Sequence, residues 1–106
     1  MQTDSAVTTT EELLTAVADP RRRRILRYLR DTDGEAISVE ELTDALADGC
    51  DTAAERDQLR VSAQHVHLPK LADAGIVVFD PRSGTVRYAG DERVAALLEF
   101  VAAELE

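Results

Sequence analysis

A helix that must stop and turn straight into a hairpin constrains this chain more than any other feature. The segment from Arg60 through Ala74 has helical spacing and meets Gly75, which can take the left-handed conformation that closes a helix end. Ile76-Val77-Val78-Phe79 and Thr85-Val86-Arg87-Tyr88 then lie on either side of Asp80-Pro81-Arg82-Ser83-Gly84. Two β-branched and aromatic runs around a turn bearing Pro and Gly predict a strand, a turn and a strand.

The other elements are placed around that unit. Leu13, Leu14 and Val17 predict a short helix from Thr10 that ends near Asp19-Pro20. Asp19 is a good N-cap and Pro20 a good first helical residue, so a second helix follows to about Asp31. It buries Ile25, Leu26 and Leu29, holds Tyr28 at the edge, and turns Arg23, Arg24, Arg27 and Arg30 the other way. Ser38-Val39-Glu40-Glu41 reads as a capping box opening a helix through about Ala47, with Val39, Leu42, Ala45 and Leu46 inward. Thr52-Ala53-Ala54-Glu55 is a second such box and starts the long helix. Val94, Leu97, Leu98, Val101 and Leu105 mark an amphipathic last helix from Asp91 to about Leu105. Residues 1–9 are polar, lack periodicity and are expected to form a disordered tail. There is no internal repeat, so residues 10–106 are expected as one domain. The fold class is α+β, a winged helix-turn-helix: a helical core, a two-stranded wing and a C-terminal helix.

Composition adds a tension. With four aromatics and no Trp in 106 residues, the core must be mostly Leu, Val, Ile and Ala. The net charge of −9 opposes nucleic-acid binding at first sight. The cations are nevertheless clustered: Arg21 to Arg24 with Arg27 and Arg30, then Arg56, Arg60 and Lys70, then Arg82 and Arg87 on the hairpin. Lys70 is the only lysine. An acidic, Lys-poor, Ala- and Asp-rich chain suits a salt-accumulating cytoplasm, where carboxylates hold water. No run approaches the length of a membrane span and Met1-Gln2-Thr3-Asp4-Ser5 opens no secretory segment, so a soluble cytoplasmic protein is expected. Cys50 is the only thiol and cannot form an internal disulfide.

At about 100° per residue, with Leu68 inward, Val61, Gln64, Leu71 and Ala72 share the inner side of the long helix. Arg56, Arg60, Ala63, His67 and Lys70 gather on another arc, small and basic enough for a major groove. The expected DNA contacts are Arg56, Arg60, Ala63, Gln64, His67 and Lys70, with Arg82 and Arg87 on the flanking backbone. Val66 and Leu59 point away from the inferred core. Pro69 removes the bond to the His65 carbonyl and should bend the axis, which leaves the helix phase before it open. His65 and His67 project about 200° apart on a helix and cannot chelate one ion; His65 is expected inward and His67 outward. Some of the Arg21–Arg24 cluster is expected to pair with acids or a partner subunit. No catalytic triad spacing, phosphate loop or nucleotide fingerprint is present, so neither an enzyme, a metal nor a cofactor is expected. The first and last helices carry more apolar surface than so small a core can cover. A homodimer through Leu13, Leu14, Val17, Leu97, Phe100 and Val101 is expected.

Asp19-Pro20-Arg21 with Ile25-Leu26, Ser38-Val39-Glu40-Glu41-Leu42, and His65-Val66-His67-Leu68-Pro69-Lys70-Leu71-Ala72-Asp73-Ala74-Gly75-Ile76 resemble one family in particular. It is the set of small winged helix-turn-helix domains of halophilic archaea, distantly similar to arsenical-repressor-like regulators, and the resemblance covers roughly residues 10–90. It implies a DNA-binding transcriptional regulator, commonly a homodimer, with the helix at 62–74 in the major groove. The metal-sensing relatives carry a paired-thiol motif on that helix, and this chain has none. The competing expectation is a winged-helix module that binds protein and not DNA.

Overall fold

A computed structural model of the chain describes residues 9–48, 51–90 and 92–106. The expected tail (apart from Thr9), Cys50 and the start of the last helix at Asp91 lie outside the described residues. The order is α1 (Thr10–Ala18), α2 (Pro20–Arg30), β1 (Ile37–Ser38), α3 (Val39–Leu46), α4 (Ala53–Ser62), a π-helical turn (Ala63–His67), α5 (Leu68–Asp73), β2 (Val77–Asp80), β3 (Thr85–Tyr88) and α6 (Glu92–Glu104). This is an α+β winged-helix arrangement.

The helix starts follow from side-chain caps. Thr9 and Glu12 form a reciprocal capping box on α1, and Thr52 with Glu55 forms another on α4. Asp19 accepts from the Arg21 N–H at 2.7 Å and starts α2 with Pro20 just inside. Ser38 accepts the Glu41 N–H at 2.9 Å and caps α3, while the Glu41 carboxylate accepts from the Tyr28 hydroxyl at 3.3 Å. α5 stops at Gly75, whose φ is 76°, and the Ile76 N–H returns to the Leu71 carbonyl at 3.0 Å.

The hairpin is part of a three-stranded antiparallel sheet in the order β1-β3-β2. β2 and β3 pair Val77 with Tyr88 and Phe79 with Val86. The two-residue β1 pairs Ile37 with Val86, an addition too short to leave a periodic signal in the sequence. Gly84, at φ 69°, closes the turn by donating to the Asp80 carbonyl at 2.8 Å. The core joins Leu13 and Val17 of α1, Ile25, Leu26 and Leu29 of α2, Leu42 of α3, Leu68 and Leu71 of α5, Val86 of the wing, and Val94 and Leu98 of α6. No described helix is long and apolar enough to cross a membrane.

Candidate nucleic-acid interface

The long helix holds one continuous axis from Ala53 to Asp73 because the backbone stays right-handed helical through both junctions. Ser62, Ala63, His67 and Leu68 all have φ between −61° and −78°. Within it the Leu68 N–H reaches back five residues to the Ala63 carbonyl, the bond that defines a π turn. Pro69 supplies the cause. Its nitrogen cannot donate to the His65 carbonyl and its ring would crowd that oxygen, so the turn widens by one residue.

One extra residue shifts everything N-terminal to the turn by about 100°. The positions facing the core before Leu68 become Ala63 and Leu59. Ala63 is buried, and Leu59 packs against the core instead of pointing away. Val61, expected inward, is 43% exposed. The histidines are the reverse of expectation: His67 is 4% exposed and His65 lies on the surface. Ala63 and His67 are therefore core residues and cannot touch a groove. Gln58, Val61 and His65, spaced three and four apart, form the outward row, a set that the regular projection misses.

The expected cations divide into two groups. Arg56 is bound to the Asp44 carboxylate of α3, and Arg60 to Asp57 one turn earlier. Both stay half-buried, their charge already offset, and Gln64 is half-buried beside them. Lys70, Arg82 and Arg87 are exposed, and among the described residues their side chains have no hydrogen-bond or ion-pair partner. Arg82 sits on the wing turn, which Asp80 fixes by accepting from the Arg82 N–H at 3.0 Å and the Ser83 N–H at 3.4 Å. The Ser83 contacts and the Arg82 N–H together hold the Asp80 carboxyl below its ordinary range. Arg87 lies across from Val78 on the outer face of the hairpin.

Within the Arg21–Arg24 run, Arg22 is buried and Arg23 half-buried, while Arg21 and Arg24 stay exposed. The last carbonyls of α1 have no partner within their own helix. Arg22 Nε donates to the Ala16 carbonyl at 2.9 Å and its Nη2 to the Thr15 carbonyl at 2.9 Å. Arg23 Nη1 donates to the Val17 carbonyl at 2.8 Å, and Arg24 Nη2 to the Leu46 carbonyl ending α3 at 2.9 Å. Arg22, Arg23 and Arg24 thus cap the C-termini of two helices, where positive charge also suits the helix dipole. Farther along α2, Arg27 pairs with Glu106, which also binds Arg23, and Arg30 pairs with Glu99 of α6. The expected pairing with acids is met within the chain.

Arg22 Nη1 also lies 3.4 Å from His67 Nδ1, in a buried contact between the α1–α2 junction and the π turn. Arg22 has only donors, so Nδ1 accepts and the ring proton sits on Nε2. Burial pushes the His67 imidazole below its ordinary value near 6.5; Asp19 opposes this, and Arg21 and Arg22 add to it. Asp19 is itself held down to about 2, chiefly by its hydrogen bond with the Arg21 side chain. A depressed imidazole is neutral when folded, so the unfolded chain takes up a proton first as pH falls. Stability from this group is full above about pH 6.5 and is lost as pH falls through the lower folded value. Urea melts of the wild type and His67→Gln between pH 7.5 and 5 should therefore converge as pH drops. Parallel wild-type and His67→Gln profiles would overturn this assignment.

The expected dimer residues also divide. Leu13, Val17 and Val101 are already buried within the single chain. Leu14 and Phe100 are 50% and 56% exposed, and Leu97 is half-buried between them. Among the described residues no cluster of three or more His, Cys, Asp or Glu is placed to hold a metal ion.

A helix pair, a hairpin wing and a closing helix define a small winged-helix-like α+β protein. The chain belongs to the family described as a domain of unknown function (DUF7344), whose model matches residues 14–87. No curated protein and no solved structure matches it.

Proposed function

We propose that this chain is a DNA-binding transcriptional regulator of the kind found in the salt-accumulating cytoplasm of halophilic archaea. It acts without a cofactor. The observation that carries the reading is the pairing of two exposed features on neighbouring elements. The long helix presents Gln58, Val61 and His65 outward, and the wing beside its C-terminal end presents Arg82 and Arg87 with no partner among the described residues. Polar tips on an exposed helix suit base edges in a major groove, and free guanidinium groups on a wing suit the adjoining phosphates or minor groove.

A second reading, a protein-interaction module that does not bind DNA, is favoured by one observation. Asp44 and Asp57 neutralise the two arginines of the helix that would meet phosphate. Fluorescence anisotropy with promoter DNA, including the chain's own upstream region, at molar KCl separates the two. On the DNA reading the wild type binds selected fragments, and Arg82→Ala with Arg87→Ala weakens all sequences by roughly tenfold or more. His65→Ala or Gln58→Ala should instead blunt the preference among sequences. No binding of any fragment by a folded wild type would leave the interaction module as the better account.

A further inference from the structure

The second half of the long helix is kept clear of acids. From Gln58 through Ala72 the sequence holds no Asp or Glu, the longest such run in a chain with 21 acids. Pro81 to Gly90, which spans the wing turn and β3, holds none either. Inside the first run the outward face is apolar where solvent alone would favour polar groups. Val61 and Val66 are 43% and 53% exposed, and no other described helix exposes a valine. A β-branched side chain loses rotamer freedom on a helix, and at an exposed position no packing offsets that loss. Ala53, Ala54 and Glu55, exposed earlier on the same helix, are the better helix formers. Two departures from local propensity on one face mark a surface used for contact.

The π turn gathers this face. A regular helix would set Val66 about 140° from Val61. The widened turn advances less per residue, which brings Gln58, Val61, His65 and Val66 within about a quarter of the circumference. The Gln58 side chain has no hydrogen-bond partner among the described residues, so its carbonyl and its amino group are both free to pair.

We propose that this face reads A·T base pairs in a major groove, with Val61 and Val66 against thymine methyl groups and Gln58 on an adenine edge. The assignment rests on the DNA-binding reading above and names the bases which that reading leaves open. A carboxamide presents one donor and one acceptor side by side, which matches adenine N7 and N6, whereas guanine offers two acceptors there. The thymine C5-methyl is the apolar group that the groove exposes, and valine has no polar atom to pair with any other base edge.

Spacing agrees. Gln58 and Val61 lie about 4.5 Å apart along the axis and Val61 and Val66 about 7 Å, against about 3.4 Å between base pairs. The three side chains therefore span about four base pairs. A protein partner fits the patch less well. Two half-exposed valines fall far short of the about 800 Å² that a stable interface covers on each partner. Lys70 on the same helix and Arg82 and Arg87 on the wing are also exposed, with side chains free for phosphate among the described residues.

Selection from a randomised duplex library by the full chain in molar KCl supplies the site, and anisotropy on single-base analogues tests the assignment. The recovered duplexes should share one A·T pair for each of the three side chains. Replacing a thymine by deoxyuracil removes only the methyl, and at either valine position it should weaken wild-type binding by roughly fourfold. Val61→Ala should lose that response at one position and keep it at the other, and Val66→Ala the reverse. 7-Deazaadenine at the third position should weaken the wild type by roughly threefold to tenfold and leave Gln58→Ala indifferent. Both valine variants should melt at or slightly above the wild type, since alanine is the better residue on an exposed helix face. A merely structural role would lower the melt and leave the uracil responses in place. Uracil responses unchanged in both valine variants, or recovered duplexes without shared A·T pairs, would overturn the base assignment and leave the DNA-binding reading standing. Recovery of no duplex by the folded wild type would sink both and assign the valine face to a protein partner.

Discussion

Arg22→Met should lower the unfolding free energy by about 3 kcal/mol and the melting temperature by roughly 15 °C. Arg21→Met, one residue earlier, should barely move either. The difference lies in what each guanidinium touches. Arg21 is exposed and, among the described residues, its side chain binds Asp19 alone. Arg22 is 8% exposed and spans two carbonyls of the α1 terminus and the His67 ring. Met keeps much of the aliphatic stem and removes every donor. The Ala16 carbonyl and His67 Nδ1 are then buried without partners, and the Thr15 carbonyl is partly so. Each such orphan costs about 1–3 kcal/mol. The two buried orphans sum to about 2–6 kcal/mol, and water reaches the part-buried Thr15 oxygen, so a loss of about 3 kcal/mol lies in the lower half of that range. Thermal melts by circular dichroism at one fixed salt concentration decide it. Equal losses in the two variants would mean that Arg22 does not anchor α1 to the π turn.

The same residue marks where the sequence was legible and where it was not. Helix starts were readable because a cap is local chemistry: Asp19-Pro20, Ser38 and Thr52 each act within three residues of their own position. Gly75 and the wing turn were readable for the same reason. The role of the Arg21–Arg24 run was not, because its acceptors are carbonyls of α1 and the end of α3, and carbonyls carry no sequence signature. The helix phase before Pro69 failed for a different reason. A steady 100° per residue puts His67 and Ala63 outside, and a π turn moves both into the core while bringing Gln58, Val61 and His65 out. Pro69 was the available signal. A proline far inside a helical pattern implies that a bond is missing, and a one-residue widening is a way to keep the axis while losing it. On the first and last helices, spacing alone could not separate Leu13, Val17 and Val101, which the core absorbs, from Leu14 and Phe100, which it leaves out.

If the chain binds DNA, replacing Asp44 and Asp57 together by Asn should strengthen binding at low salt and leave it unchanged near 1 M. Those carboxylates hold Arg56 and Arg60, and all four side chains are at least one-third exposed. Exposed pairs of this kind add little to folding, so the variant should melt close to the wild type. Its effect falls instead on the counterion balance. A cation that meets phosphate adds about 0.9 to the slope of log affinity against log salt. Two released arginines therefore steepen the slope by about 1.8 per chain, which amounts to roughly a 20-fold gain at 0.2 M KCl and none at 1 M. The wild type, with these cations already neutralised and a net charge of −9 that repels DNA at low salt, should show a shallow dependence and keep its binding into molar KCl. Anisotropy titrations of both proteins from 0.2 to 1 M KCl measure the two slopes directly. Parallel slopes would mean that the first half of the long helix never approaches the phosphates. A wild type that binds tightly only below 0.2 M would mean that the acidic net charge does not set its salt response. Either result would remove the proposed reason for keeping two arginines paired with carboxylates on this helix, namely that they hold DNA affinity steady as salt rises.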